Sequence, residues 1–132
     1  MIVVAGEALI DLVIDTDGAV LAKLGGGPYN VARTIGRLGG SVTFLGAISN
    51  DRFGCQLLAQ LSADGVSAEA IVRTDRPTTL AAAELNAHGA ATYRFYLDGT
   101  SAPSLAIVPA LTSTPTAVHL GTLGLVLEPM AS

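Results

Sequence analysis

Residues 2–5 are an unbroken apolar run closed by Gly6, which predicts a short strand buried on both faces, as in a parallel sheet. Residues 12–14 predict a second short strand, the Asp-Thr-Asp-Gly of 15–18 a turn, and 19–24 a returning strand. Together they form a hairpin projecting between the first strand and the first helix. The period then changes. Val31, Ile35 and Leu38 recur at i, i+4 and i+7 with Ala32 beside them, the mark of a helix burying one face. Pro28 suits the first position of that helix, and Gly39 suits a left-handed cap at its end. Residues 41–48 alternate and then run apolar, predicting another buried strand. Ser49-Asn50-Asp51 make a turn and cap for a second helix, whose apolar face is Phe53, Leu57, Leu58 and Leu61 and whose stop is Asp64-Gly65. A weaker strand is predicted over 70–72. This order, strand, hairpin, helix, strand, helix, strand, is that of right-handed βαβ units and places the chain in the α/β class.

A two-residue period returns at 78–84 and 91–97, joined across Asn86-Ala87-His88-Gly89, and predicts a second hairpin. Alternation puts Thr92, Arg94 and Tyr96 on one face of its second run and Tyr93, Phe95 and Leu97 on the other. An aromatic-rich hairpin carrying one Arg among hydroxyls suits the cover of a polar ligand, or pairing with its equal in another subunit. Residues 98–104 and 109–115 read as polar loops, and 116–121 as a fourth buried strand ending in Gly with the hydroxyl of Thr122 behind it. Residues 128–132 read as the first turn of a helix.

Composition narrows the function classes. Half of the 132 residues are apolar and 14% charged, enough for an aliphatic core in one domain or part of one. Seven basic residues against eleven acidic ones are scattered without a basic run, which argues against nucleic acid or an anionic membrane as partner. No apolar run reaches spanning length and no basic leader opens the chain, so the expected location is the cytoplasm. The single cysteine, Cys55, fits a reducing compartment and reads as a small buried hydrophobe on the second helix. His88 reads as a turn residue and His119 as core, leaving no pair at metal-ligand spacing.

The candidate chemistry lies in Gly25-Gly26-Gly27-Pro28-Tyr29-Asn30, a backbone without Cβ atoms feeding a helix N-terminus. The Lys and Ser/Thr of a P-loop are absent, and the third glycine of the dinucleotide fingerprint is replaced by Asn30. Hydroxyl recognition is the reading that remains open. Glu7 and Asp11 come after the first strand, and α/β sheets bind ligands at strand carboxyl ends, which singles out Asp11.

Three blocks, Gly6-Glu7 with Asp11, Gly25 to Ala32, and Gly46-Ala47-Ile48-Ser49-Asn50-Asp51-Arg52-Phe53-Gly54, stand in the order and spacing of one known family. The chain resembles the PfkB carbohydrate kinases, the ribokinase and fructokinase group, and its Tyr93 to Ala102 segment is most similar to the fructokinase branch. The resemblance implies a ribokinase-like αβα sandwich with a β-sheet lid, present over residues 1–132 as the N-terminal part of one domain. Lid segments are expected at about 12–24 and 78–100. It further implies that Asp11 accepts hydrogen bonds from two sugar hydroxyls, that Gly26 and Gly27 let the sugar approach the backbone, and that Asn30 binds another hydroxyl. Arg94 and Tyr96 would close from the lid.

The family's second signature, a Gly-x-Gly-Asp block supplying the catalytic base, has no counterpart here. The expectation is therefore the sugar-binding and lid half of an ATP-dependent kinase, with the C-terminal nucleotide-binding half absent. ATP and Mg2+ belong to the parent enzyme, no cofactor or metal is expected on this chain, and the chain alone is not expected to phosphorylate a sugar. A homo-oligomer through the lid hairpins is expected. The alternative is a structural module that self-associates around a vestigial sugar site, since an uncapped sheet edge invites pairing.

Overall fold

The computed structural model describes residues 1–132, and the opening apolar run is its first strand, β1 (Ile2–Ala5). A hairpin of β2 (Leu9–Ile14) and β3 (Val20–Gly25) comes next, then α1 (Gly27–Arg37), β4 (Val42–Ser49), α2 (Arg52–Ala63) and β5 (Ile71–Thr74). The second hairpin is β6 (Leu80–Leu85) with β7 (Ala91–Tyr96), and β8 (Ala117–Leu120) is the last strand. They make two sheets. One is all parallel in the order β5-β4-β1-β8, and the other runs β3-β2-β6-β7. In the second sheet both hairpins are antiparallel and their inner strands, β2 and β6, pair in parallel. The two predicted hairpins are thus one four-stranded lid.

α1 and α2 pack with β1 and β4 over a core of Val4, Phe44, Ile48, Leu57 and Leu61. Tyr29 is its keystone. The ring is fully buried and meets Phe44 edge-on at 6.2 Å, while its hydroxyl donates to the carbonyl of Leu57 on α2 at 3.0 Å. Burial, opposed by the Arg33 guanidinium over the ring, pushes the Tyr29 hydroxyl up to about 12. Arg33 also bonds Asp64 at the end of α2 and holds that carboxyl below its usual range.

The contacting stripe of α1 is Tyr29, Ala32, Arg33 and Gly36, and at Gly36 a Cβ would collide with the carbonyl oxygen of Asp64. That stripe lies beside the predicted one. Val31 and Ile35 are partly buried against the core, but Leu38 is 82% exposed. Cys55 is exposed rather than buried, because α2 turns Gly54, Leu57 and Leu61 inward. β8 is formed as expected but is an edge strand with all four residues exposed, so His119 is not a core residue. Residues 128–132 fold as turns and not as a helix. No helix is long and apolar enough to cross a membrane.

Candidate functional site

The ladder of the lid decides which side chains share a face. Asp11 stands opposite Lys23 on β3 and opposite Ala81 on β6, and Ala81 stands opposite Phe95 on β7. Lys23, Asp11, Ala81 and Phe95 therefore form one row on one face. The next row on that face brings Tyr93, whose ring stacks on Phe95 at 6.2 Å between centroids. β2 leads into this row directly from the carboxyl end of β1, which is how a sheet residue and a strand-end residue come to border one space.

Beneath the row, β3 ends in the glycines. Asp11 lies over Gly25, where a Cβ would collide with its Oδ2, so the absent side chain is what lets the carboxylate lean towards α1. Gly26 is the N-cap of α1 with φ +112°, and a Cβ there would come within 2.5 Å of the Glu7 carbonyl oxygen. No side chain caps α1. Its first turn therefore presents backbone N–H groups and the positive end of its dipole to the space in front. That space is a cleft of about 420 Å³ bordered by Asp11, Gly26, Gly27 and Asn30 on one side and by Tyr93 and Phe95 above. Burial lifts the Asp11 carboxyl above its ordinary value, and Lys23 opposes the shift.

Four of the six site residues read from the sequence thus meet in one cleft. The other two do not. Arg94 and Tyr96 lie on the opposite face of β7, because the register that aligns Phe95 with Ala81 and Asp11 sends 94 and 96 the other way. Arg94 bonds Glu84 of the neighbouring strand at 3.1 Å on that outer face. The alternation of β7 is as expected, but its aromatic face, and not the polar one, looks into the cleft.

Glu7 borders the cleft as well, and its depth was not legible in the sequence. It is 2% exposed, and its Oε2 accepts from the backbone N–H groups of Thr122 (3.2 Å), Leu123 (3.1 Å) and Gly124 (3.2 Å). Its Oε1 accepts from the Thr122 hydroxyl. Gly27 sits against the same pair, with the Thr122 Oγ1 3.2 Å and Glu7 Oε1 3.7 Å from where its Cβ would be. The one available signal was the apolar run ending Gly-Glu, mirrored by a later run ending Gly-Thr.

The base of the lid is tied to the body by side chains. Asp51 caps α2 by accepting from Gly54 N at 2.8 Å, and also takes the N–H and hydroxyl of Thr78 at 2.8 and 2.6 Å just before β6. Burial works against its charge, but the bonds from Thr78, Gly54 and Ser49 outweigh it and hold the carboxyl below the usual range. On the far side of the hairpin, Thr79 and Thr100 share a buried hydroxyl bond of 2.7 Å. No three His, Cys, Asp or Glu side chains converge as metal ligands would.

A model of the pfkB family of carbohydrate kinases matches residues 1–129. The chain is 35% identical over its whole length to probable fructokinase-4 of Arabidopsis thaliana, and 36% identical over 98% of its length to a fructokinase of Rhizobium leguminosarum bv. trifolii. It spans less than half of either relative, 44% and 41%. Among solved structures, the fructokinase of Xylella fastidiosa, also known with bound ATP, superposes with a TM-score of 0.71 at 37% identity over 79% of this chain and 36% of that one. The fructokinase of Vibrio cholerae O395 superposes with a TM-score of 0.76 at 26% identity, covering 98% of this chain and 45% of the other.

Proposed function

The chain belongs to the pfkB family of carbohydrate kinases, and from that premise we propose that it forms the sugar-binding and lid part of a fructokinase-like, ATP-dependent enzyme. The observation that carries the reading is the convergence of Asp11, Gly26, Gly27 and Asn30 on one cleft roofed by Tyr93 and Phe95. An ionised carboxylate accepts from two vicinal hydroxyls more strongly than a neutral acceptor does. The Asn30 carboxamide takes a further hydroxyl, and the bare backbone at 26 and 27 admits the ring to close range. The two aromatic side chains cover the apolar C–H face of the sugar and keep water out. Held this way, a sugar hydroxyl is a positioned acceptor for phosphoryl transfer, where orientation supplies much of the rate.

ATP and Mg2+ supply the phosphoryl group and its charge neutralisation in the whole enzyme. The residues of the glycine loop include no P-loop Lys to grip a phosphate. No step of the transfer is therefore assigned to them, and their part is to bind and orient. The place of work is the cytoplasm, where the exposed thiol of Cys55 stays reduced.

Fructose at increasing concentration should raise the melting temperature of the chain, since a ligand at about 100 times its Kd adds about 2.7 kcal/mol. If fructose and ribose both leave the melting temperature unchanged at saturation, the sugar assignment fails.

A second reading, a self-associating module, is favoured by the open edge of β8, where Val118 and Leu120 are each 56% exposed. Exposed strand edges template pairing. The lid also offers apolar surface on its edge strand β3, where Val20 and Leu21 are each 58% exposed, and we place the subunit contact there. Sedimentation velocity over a concentration series should show a dimer that Leu21→Lys dissociates and Val118→Lys leaves intact. The reverse pattern would assign association to β8 and favour the module.

A further inference from the structure

The segment behind β8 has little of its own to hold its shape. Thr122 opens a 3-10 turn at Leu123–Leu125 that no side chain of the turn caps, and Gly121 and Gly124 lie on either side of its start. The cap comes from the far end of β1. Thr122, Leu123 and Gly124 all donate their backbone N–H groups to Glu7 Oε2, and the Thr122 hydroxyl donates to Oε1. A carboxylate has about four acceptor positions, so this one is full. Glu7 is buried and has nothing left to offer a ligand directly. Thr122 is placed differently. It is exposed and borders the cleft beside the first residue of α1, with its Oγ1 3.2 Å from the Cβ position of Gly27. A hydroxyl has one proton and two lone pairs. Here the proton is committed to Glu7, and neither lone pair receives a hydrogen bond from the protein.

We propose, resting on the sugar-cleft reading, that Thr122 is a further binding residue of the cleft and that Glu7 is its positioning residue. One hydroxyl of the bound sugar donates to Thr122 Oγ1. A free hydroxyl turns to donate or accept as its partner requires, but a bond to an ionised carboxylate is stronger than a neutral one and holds the rotor in place. Glu7 thereby makes Thr122 an acceptor only, and fixes the turn from which it reaches the cleft. A ligand with a hydrogen atom in place of that hydroxyl leaves the acceptor unpaired. Thr122 also supplies a third point of attachment. Asp11 comes from β2, Asn30 from α1 and Thr122 from the end of β8. Two points leave a rigid ring free to swing about the line between them, and a third point on another element fixes which hydroxyl faces outward.

The test is isothermal titration of fructose and the monodeoxy fructoses against the unaltered chain, Thr122→Val, Thr122→Ser and Glu7→Gln. At one deoxy position the unaltered chain should prefer fructose by about tenfold, and Thr122→Val, which keeps the shape and removes the acceptor, should lose that preference. Thr122→Ser, which restores the hydroxyl, should regain it. Glu7→Gln, whose amide frees the hydroxyl to turn, should shrink the same preference and leave those at the other positions unchanged. A structural role for the pair would instead lower the affinity for every sugar in step. Preferences that all survive in Thr122→Val would overturn the assignment while leaving the sugar cleft standing. Thr122 is exposed, so its two variants fold whatever becomes of the Gln variant. Absence of fructose binding to the unaltered chain would remove the sugar reading itself, and this contact with it.

Discussion

Replacing Asp11 with alanine should lower fructose affinity by at least about a hundredfold, because two charge-assisted hydrogen bonds are lost at roughly 1.5–3 kcal/mol each. The same site should show the opposite effect on stability. Burial raises the Asp11 carboxyl above its ordinary value, with Lys23 opposing. A group whose pKa rises on folding favours the fold in its protonated form. That contribution is complete below the unfolded value of about 3.9 and is lost as pH climbs through the raised folded value. At neutral pH the ionised Asp11 therefore works against folding. Asp11→Asn, which keeps the shape and removes the charge, should melt above the unaltered chain at pH 7, and the difference should close below about pH 4. Thermal melts at the two pH values, with and without fructose, read both effects. A variant that binds fructose as well as the unaltered chain, or that melts lower at pH 7, would contradict the placement of the carboxylate in the cleft.

Gly26→Ala should destabilise the chain by about 3 kcal/mol, or about 10 °C in melting temperature, and remove sugar binding with it. Two costs combine there. The backbone sits at φ +112°, which an L side chain rarely adopts, and the new Cβ would lie 2.5 Å from the Glu7 carbonyl oxygen and 3.3 Å from the Ala8 Cα. Both obstacles are backbone and neither can swing aside, so α1 must move away from the β1–β2 connection and the first turn leaves the cleft. Gly18→Ala is the control. It has φ +85° with nothing within 4 Å of the added atom, so only the backbone term applies, about 1 kcal/mol. Urea unfolding of the two variants separates the terms, and a Gly26 variant no weaker than the Gly18 one would show that the close approach is relaxed in solution.

Much of this fold is legible because local pattern suffices for it. The run at 2–5 reads as a buried strand, the Pro after three glycines announces α1, and the turn and cap of Ser49-Asn50-Asp51 announces α2; each appears at its expected place. The site was legible where backbone chemistry carried it, at 25–27 and Asn30. What failed depends on contacts between distant segments. Alternation in β7 says that 93 and 95 oppose 94 and 96, but the side that faces Asp11 is fixed by the pairing of Phe95 with Ala81 and of Ala81 with Asp11. Glu7 looks like a loop acid until the backbone N–H groups of 122–124 close over it. Val118 and Leu120 read as buried because apolar runs usually are, and an edge position is invisible to composition. For Cys55, hydropathy indicated burial while the helix phase set by Leu57 and Leu61 put it outside.

The bond from Asp51 to both Gly54 and Thr78 makes one carboxylate a joint between two members that perform different tasks. α2 contributes nothing to the cleft border, yet its opening turn and the approach to β6, the strand that pairs with the roof strand β7, hang from the same pair of oxygens. Loss of the Asp51 carboxylate should therefore loosen that turn and the approach to β6 together. If the cleft holds a sugar as proposed, drift in the sequence around residues 49–54 should change how long it stays without altering any residue of the cleft border.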